Sequence, residues 1–220
     1  MSILLKPLRH ALAALLLGLS LSPAAQAQAP SVSPGLLGPD WRLLFGLGLT
    51  GGGERLVSAD GGNLWSGALL HLHTGVRWEA APWLSLQASI GLQTDSTDAN
   101  VGAMFWRLLS DQRSDDRLVF DRLPVELLAH LRLDRQWALG GGWRRAYAPV
   151  IYGQGVYSGY SAGLRSRPGW VGELEYRFGT GESGNYAALV LRGVRERYLA
   201  PASGTLIDAS HAGLYLNIWF

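Results

Sequence analysis

Apolar side chains recur at every second position in eight stretches of this chain, with small or polar residues between them. In the first, Trp41, Leu43, Phe45, Leu47 and Leu49 alternate with Arg42, Leu44, Gly46, Gly48 and Thr50. In the third, Leu84, Leu86, Ala88, Ile90 and Leu92 alternate with Ser85, Gln87, Ser89, Gly91 and Gln93. A period of two belongs to a β-strand, which sends successive side chains to opposite faces. The pattern predicts strands over residues 41–50, 68–79, 84–93, 118–133, 137–147, 168–178, 186–199 and 211–220. The last, His211-Ala-Gly-Leu-Tyr-Leu-Asn-Ile-Trp-Phe220, puts Leu214, Leu216, Ile218 and Phe220 on one face. Tyr215, Asn217 and Trp219 take the other.

An apolar face opposite a mixed polar one suits a strand with lipid outside and a polar interior. The fold class this implies is all-β: an eight-stranded antiparallel transmembrane β-barrel. The alternative is a soluble sandwich with residues 211–220 as an edge strand. The connections sort by length. Those after strands two, four and six are short, whereas residues 51–67, 94–117 and 148–166 form long polar connections. Short turns face the periplasm and long loops the exterior in such barrels, which predicts that both termini are periplasmic. The facing pattern also predicts that arginine is costly at Leu86 and well tolerated at Gln87.

Residues 1–27 read as a cleaved signal peptide. Lys6 and Arg9 precede an apolar run from Ala11 to Leu21, and Ala25-Gln-Ala27 offers a cleavage site. That run is too short to span a bilayer as a helix. Residues 28–39, with three prolines, read as a periplasmic lead-in, and residues 40–220 as a single outer-membrane barrel domain. The 19 Lys and Arg exceed the 17 Asp and Glu by two. Lys6 and Arg9 are those two, so the mature chain is neutral, and no basic face suggests nucleic acid. With no Cys there is neither a disulfide framework nor a thiolate metal site. The 29 Gly, 9 Trp and 8 Tyr fit tight turns, crowded interiors and interfacial aromatic girdles.

Leu123-Pro-Val-Glu-Leu-Leu-Ala-His130 followed by Trp137-Ala-Leu-Gly-Gly-Gly142 resembles a motif of small proteobacterial outer-membrane β-barrel proteins. Their eight-stranded architecture is similar to the OmpA membrane domain. The resemblance covers about residues 40–220. It implies an outer-membrane location, contact with outer-membrane lipid and lipopolysaccharide, and periplasmic chaperones and the barrel assembly machinery as partners. In such proteins that machinery reads a C-terminal signal, here Leu214, Leu216, Ile218 and Phe220. The apolar segment Met104, Phe105, Trp106, Leu108 and Leu109 departs from the pattern and is a candidate surface contact for lipopolysaccharide or another protein.

The interior of so narrow a barrel is filled by side chains. The inward parity collects a charge network of Arg42, Arg77, Glu79, Glu126, His130, Arg132, Arg144, Glu173, Glu175, Arg177, Arg192 and Glu196. His71, His73, Gln87 and His211 share that parity. Buried charges persist when paired, so these residues are expected to plug the lumen, with a narrow polar channel as the alternative. No catalytic, cofactor-binding or metal site is assigned. His71 and His73 could begin a zinc site, but the chain offers no third ligand at suitable spacing. A lipid-modifying enzyme would need Ser, His and an acid together; Ser210 and His211, adjacent on one strand, point to opposite faces. The expected role is structural or one of surface interaction.

Overall fold

A computed structural model of the chain describes residues 40–59, 62–67, 69–97, 116–178 and 185–220. The barrel wall consists of eight antiparallel strands: β1 (Trp41–Gly52), β4 (Leu70–Ala81), β5 (Leu84–Ser96), β6 (Arg117–Arg132), β7 (Trp137–Gln154), β10 (Gly169–Phe178), β11 (Tyr186–Arg195) and β14 (His211–Trp219). Each pairs with the next in the chain, β7 pairs with β10, and β14 closes on β1. Beyond β14, Phe220 and Leu43 exchange two backbone hydrogen bonds of 3.0 Å, completing the seam.

Paired residues can be followed once round the wall. Trp41 leads to Trp78, Leu86, Ala129, Gly141, Gly172, Gly193, Ala212 and back to Gly51. The circuit returns ten residues further along β1, and this stagger sets the strand tilt of a closed barrel. A second circuit carries the apolar belt: Leu131, Leu139, Leu174, Leu191, Leu214 and Leu49 lie on adjacent strands in register. All six are exposed, Leu191 by 58%. An exposed leucine row on a wall with a charged interior inverts the soluble pattern and marks a lipid-facing surface.

At the end where β1 begins and β14 ends, the turn between β6 and β7 is tight. The Asp134 carboxylate accepts the backbone N–H groups of Gln136 and Trp137 at 2.7 Å each, an Asx turn that returns β6 into β7. At the opposite end the described parts of the connections hold further short strands. These are β2 (Arg55–Ala59), β3 (Gly62–Trp65), β8 (Ser161–Gly163), β9 (Arg165–Ser166), β12 (Arg197–Leu199) and β13 (Leu206–Asp208). The expected strand over 137–147 runs on to Gln154, and the one over 186–199 breaks after Arg195. The first difference has a local cause. Pairing of β6 with β7 shifts between Asp121 and Leu123, opposite Ala148, whose φ is 46°. An extra residue there reverses the facing pattern, so Ala146 and Ile151, of opposite parity, are both buried. Periodicity stops at the bulge although pairing continues.

The hairpins enclose an apolar core. Leu64, Leu118, Phe120, Ile151, Leu164 and Tyr198 meet over the lumen, with the Phe120 and Tyr198 rings edge to face at 5.7 Å. Asp95 fastens β3 to β5 by accepting the Trp65 N–H at 3.0 Å. Ser66 donates its hydroxyl to Asp208 O at 2.7 Å, tying the first hairpin to the last.

Candidate functional site: the barrel lumen

Inward residues of the tilted strands meet across a narrow interior, and glycine makes room for them. A Cβ on Gly46 would lie 2.1 Å from the His73 ring, on Gly48 2.2 Å from Tyr215, on Gly91 2.4 Å from His71 and on Gly140 2.5 Å from His130. Each of these glycines is a socket for a ring on a neighbouring strand.

A continuous chain of pairs then fills the centre. Beginning near the termini, Arg177 Nε donates to Glu175 Oε1 at 2.6 Å. Arg77 grips Glu175 with two hydrogen bonds, of 3.1 and 2.9 Å, and gives two more to Gln87 Oε1. His130 Nε2 lies 3.2 Å from Arg77 Nη2 and 2.9 Å from Glu173 Oε2. Glu173 pairs with Arg192, which reaches Glu126 at 3.0 Å. Glu126 also accepts from Arg144 at 2.5 Å, and Arg144 reaches Glu196 at 3.1 Å. Gln93 Oε1 accepts from both Arg144 and Arg122, and Arg122 continues to the Ser66 carbonyl. Arg77, Arg122, Arg144, Arg192 and Glu175 are fully or almost fully buried. A bare charge at such depth would be costly, and here it is met by two or more partners.

Aromatic rings add to the ladder. The Arg77 guanidinium lies 4.4 Å from the centre of the Trp219 ring, which stacks on Tyr186 at 4.7 Å. Arg192 lies 4.3 Å over Tyr215, whose hydroxyl meets His71 Nδ1 at 3.0 Å. Beside the ladder is a less satisfied strip. Both ring nitrogens of His73, both amide atoms of Asn217 and Trp219 Nε1 have no hydrogen-bond partner among the described residues.

Nine of the twelve predicted network residues join this chain. Three do not. Glu79 and Arg132 pair with each other at 3.1 Å on the partly exposed rim. Arg42 is half-buried and makes no ion pair among the described residues. Facing alone placed these three inward, but each lies at the end of its strand, beyond the layer formed by Arg77 and Trp219. Two hubs, Gln93 and Arg122, were absent from the predicted network. Their inward parity is legible, but a search for opposite charges passes over an amide that bridges two cations.

His71 and His73 have ring centres 5.1 Å apart, and among the described residues no cluster of three His, Asp or Glu could hold a metal ion. His211 is buried in the lumen, where Nδ1 meets Ala209 O at 2.8 Å and Nε2 meets Gln93 at 3.2 Å. Ser210 is half-buried, and its backbone N–H donates to the Asp208 carboxylate at 2.9 Å. Leu214, Leu216, Ile218 and Phe220 are exposed on the lipid side. Residues 1–39 and the segment containing Met104, Phe105, Trp106, Leu108 and Leu109 lie outside the described residues.

No family model matches the chain, and no curated protein matches it. Among solved structures, it is similar to Ail, the attachment invasion locus protein of Yersinia pestis, solved in complex with the heparin analogue sucrose octasulfate. The identity is 10%, over 82% of this chain and 97% of that one, with a TM-score of 0.47. It is also similar to the outer membrane protein AlkL, solved in DMPC lipid bilayers. There the identity is 13%, over 91% of this chain and 97% of the other, with a TM-score of 0.42. Both likenesses concern the course of the backbone. With its closed eight-stranded wall, outward leucine belt and charged interior, this chain is a closed eight-stranded antiparallel β-barrel with a lipid-facing outer wall.

Proposed function

We propose that the protein is a sealed barrel that acts through its outer wall and its loop-end hairpins rather than by conducting solutes. The observation that carries this reading is the unbroken ladder from Arg177 to Glu196, whose central members expose almost no surface. The apolar core around Phe120 and Tyr198 adds a second seal above it. The tight β6–β7 turn at one end and the β2–β3 and β12–β13 hairpins at the other support a placement with both termini in the periplasm. The outward row ending at Phe220 supports recognition by the barrel assembly machinery. Planar-bilayer recording of the refolded protein tests the seal: a silent parent is expected, and steady single-channel current would overturn it.

A narrow channel is the second reading. It is favoured by the strip at His73, Asn217 and Trp219, where polar atoms without a partner among the described residues are the groups that water would take. The same recording decides between the two.

A further inference from the structure

Gly172, Gly193 and Ala212 face outward on adjacent strands, and their row ends at Gly51. A Cβ added at Gly51, Gly172 or Gly193 would meet nothing within 4 Å. Packing of the barrel does not demand glycine there. What glycine does is lower the wall between two taller rows. On one side stand Leu174, Leu191 and Leu214; on the other, Trp170 and Arg195, which are paired in register. The result is an open groove of about 620 Å³ that reaches Ser210. Trp170, at its edge, is 67% exposed, and indole rings of this kind collect where a bilayer meets water.

Charge gathers at the head of this groove. Arg145, Arg167, Arg195 and Arg197 are all exposed on neighbouring segments, and the Arg167 N–H donates to Arg197 O at 2.9 Å. None of the four has a carboxylate within 4.0 Å among the described residues. Asp208, the register partner of Arg197, is the acid beside them. Its carboxylate accepts the Ser210 N–H at 2.9 Å. Hydrogen bonds from Ser210 hold it below the usual carboxylate range, with Arg197 and Arg195 adding to the effect. Four like charges without an ion-pair partner among the described residues repel one another, and an anion relieves that repulsion.

We infer that this face seats an anionic membrane phospholipid, one whose phosphate charge is not balanced by a cationic headgroup, with the phosphate on Arg195 and Arg197 and one acyl chain along the groove. The guanidinium fork matches phosphate oxygens in pairs. The occupant is a lipid because the floor and lower wall of the groove continue into the leucine belt, which the bilayer already surrounds. This deepens the surface-acting reading above and rests on it.

The test is native mass spectrometry of the protein released from nanodiscs of phosphatidylcholine and phosphatidylglycerol. The parent is expected to retain one phosphatidylglycerol in preference to phosphatidylcholine, on the order of fivefold for each arginine engaged. Arg195→Gln with Arg197→Gln should remove the preference. Gly193→Leu, which fills the groove without altering charge, should lower retention. Arg135→Gln, in the turn at the other end, should leave it unchanged. Heat-modifiable mobility confirms that each variant is folded. Equal retention of the two lipids by the parent, or full retention by the arginine double variant, would overturn the inference. Loss of the bound lipid to millimolar inorganic phosphate would reassign the site to a free anion and overturn it as well. A conducting parent that still retains phosphatidylglycerol would sink the sealed-barrel reading and leave this one standing.

Discussion

Glu126 on β6 and Arg144 on β7 are register partners, and their side chains meet inside the barrel at 2.5 Å. Glu126 is also the partner of Arg192 at 3.0 Å, so one carboxylate serves two arginines from different strands. Glu126→Ala should therefore leave two buried cations short of a partner and destabilise the barrel by about 3–5 kcal/mol. Arg192→Ala should cost a similar amount, because it leaves Glu173 with His130 alone and takes one of two cations from Glu126. Urea unfolding in lipid vesicles measures both, and single-channel recording of the same variants tests whether the plug has opened. Unchanged midpoints would mean that water already screens these charges.

The glycine sockets and the outer glycines should respond oppositely to the same methyl group. Gly48→Ala forces a Cβ to within 2.2 Å of the Tyr215 ring, whereas Gly193→Ala meets nothing. Overpacking of the first kind costs about 1–3 kcal/mol or more. Gly193→Ala should lie within about 0.5 kcal/mol of the parent. Equal unfolding midpoints for the two variants would contradict the packing described for the lumen.

Leu86→Arg places a cation on the lipid face and should cost about 2–4 kcal/mol near the bilayer midplane. Facing alone makes Gln87→Arg the mild partner of that experiment. The lumen reverses this expectation, because Gln87 Oε1 accepts two hydrogen bonds from Arg77. An arginine there would remove an acceptor and add a like charge, so both substitutions should destabilise.

Asn217 offers the converse case. Neither amide atom has a partner among the described residues, and nearby His73 is in the same position. Replacing an unsatisfied buried polar group by an apolar one of similar shape is close to neutral or stabilising. Asn217→Leu should therefore unfold at or above the parent's urea midpoint. A loss of more than about 2 kcal/mol would show that a hydrogen-bonded guest normally sits there.

Phe220 contributes through its backbone and its ring separately. The backbone exchanges two hydrogen bonds with Leu43, and the ring lies 6.1 Å from Phe45 at the outer surface. Phe220→Asp keeps the seam and removes the ring. Deletion of Phe220 removes both. If the ring is part of an assembly signal, Phe220→Asp should lower the amount of heat-modifiable protein in outer membranes while refolding in vitro stays nearly normal. Equal loss in both assays would assign the residue to stability alone.

The alternation of apolar and polar residues by itself determined the eight wall strands, their facing and their order. Lipid outside and a side-chain-filled interior each select one parity of every strand. It also placed Arg77, Glu126, Arg144, Glu173 and Arg192 inside. Partners were another matter. Facing states which side a residue takes, while the ten-residue stagger decides which residues come level, and that follows only from closure of β14 on β1. This is why Glu79 and Arg132 pair on the rim rather than in the ladder, and why Gln93 became a hub. The hairpins escaped the pattern for a related reason. Above the lipid, strands such as β8 and β12 no longer separate a lipid face from a lumen face, so their residues carry no period to read. The outer groove lies further still from the sequence. Gly172, Gly193 and Ala212 are unremarked small residues on three separate strands until the register sets them side by side beneath Arg195.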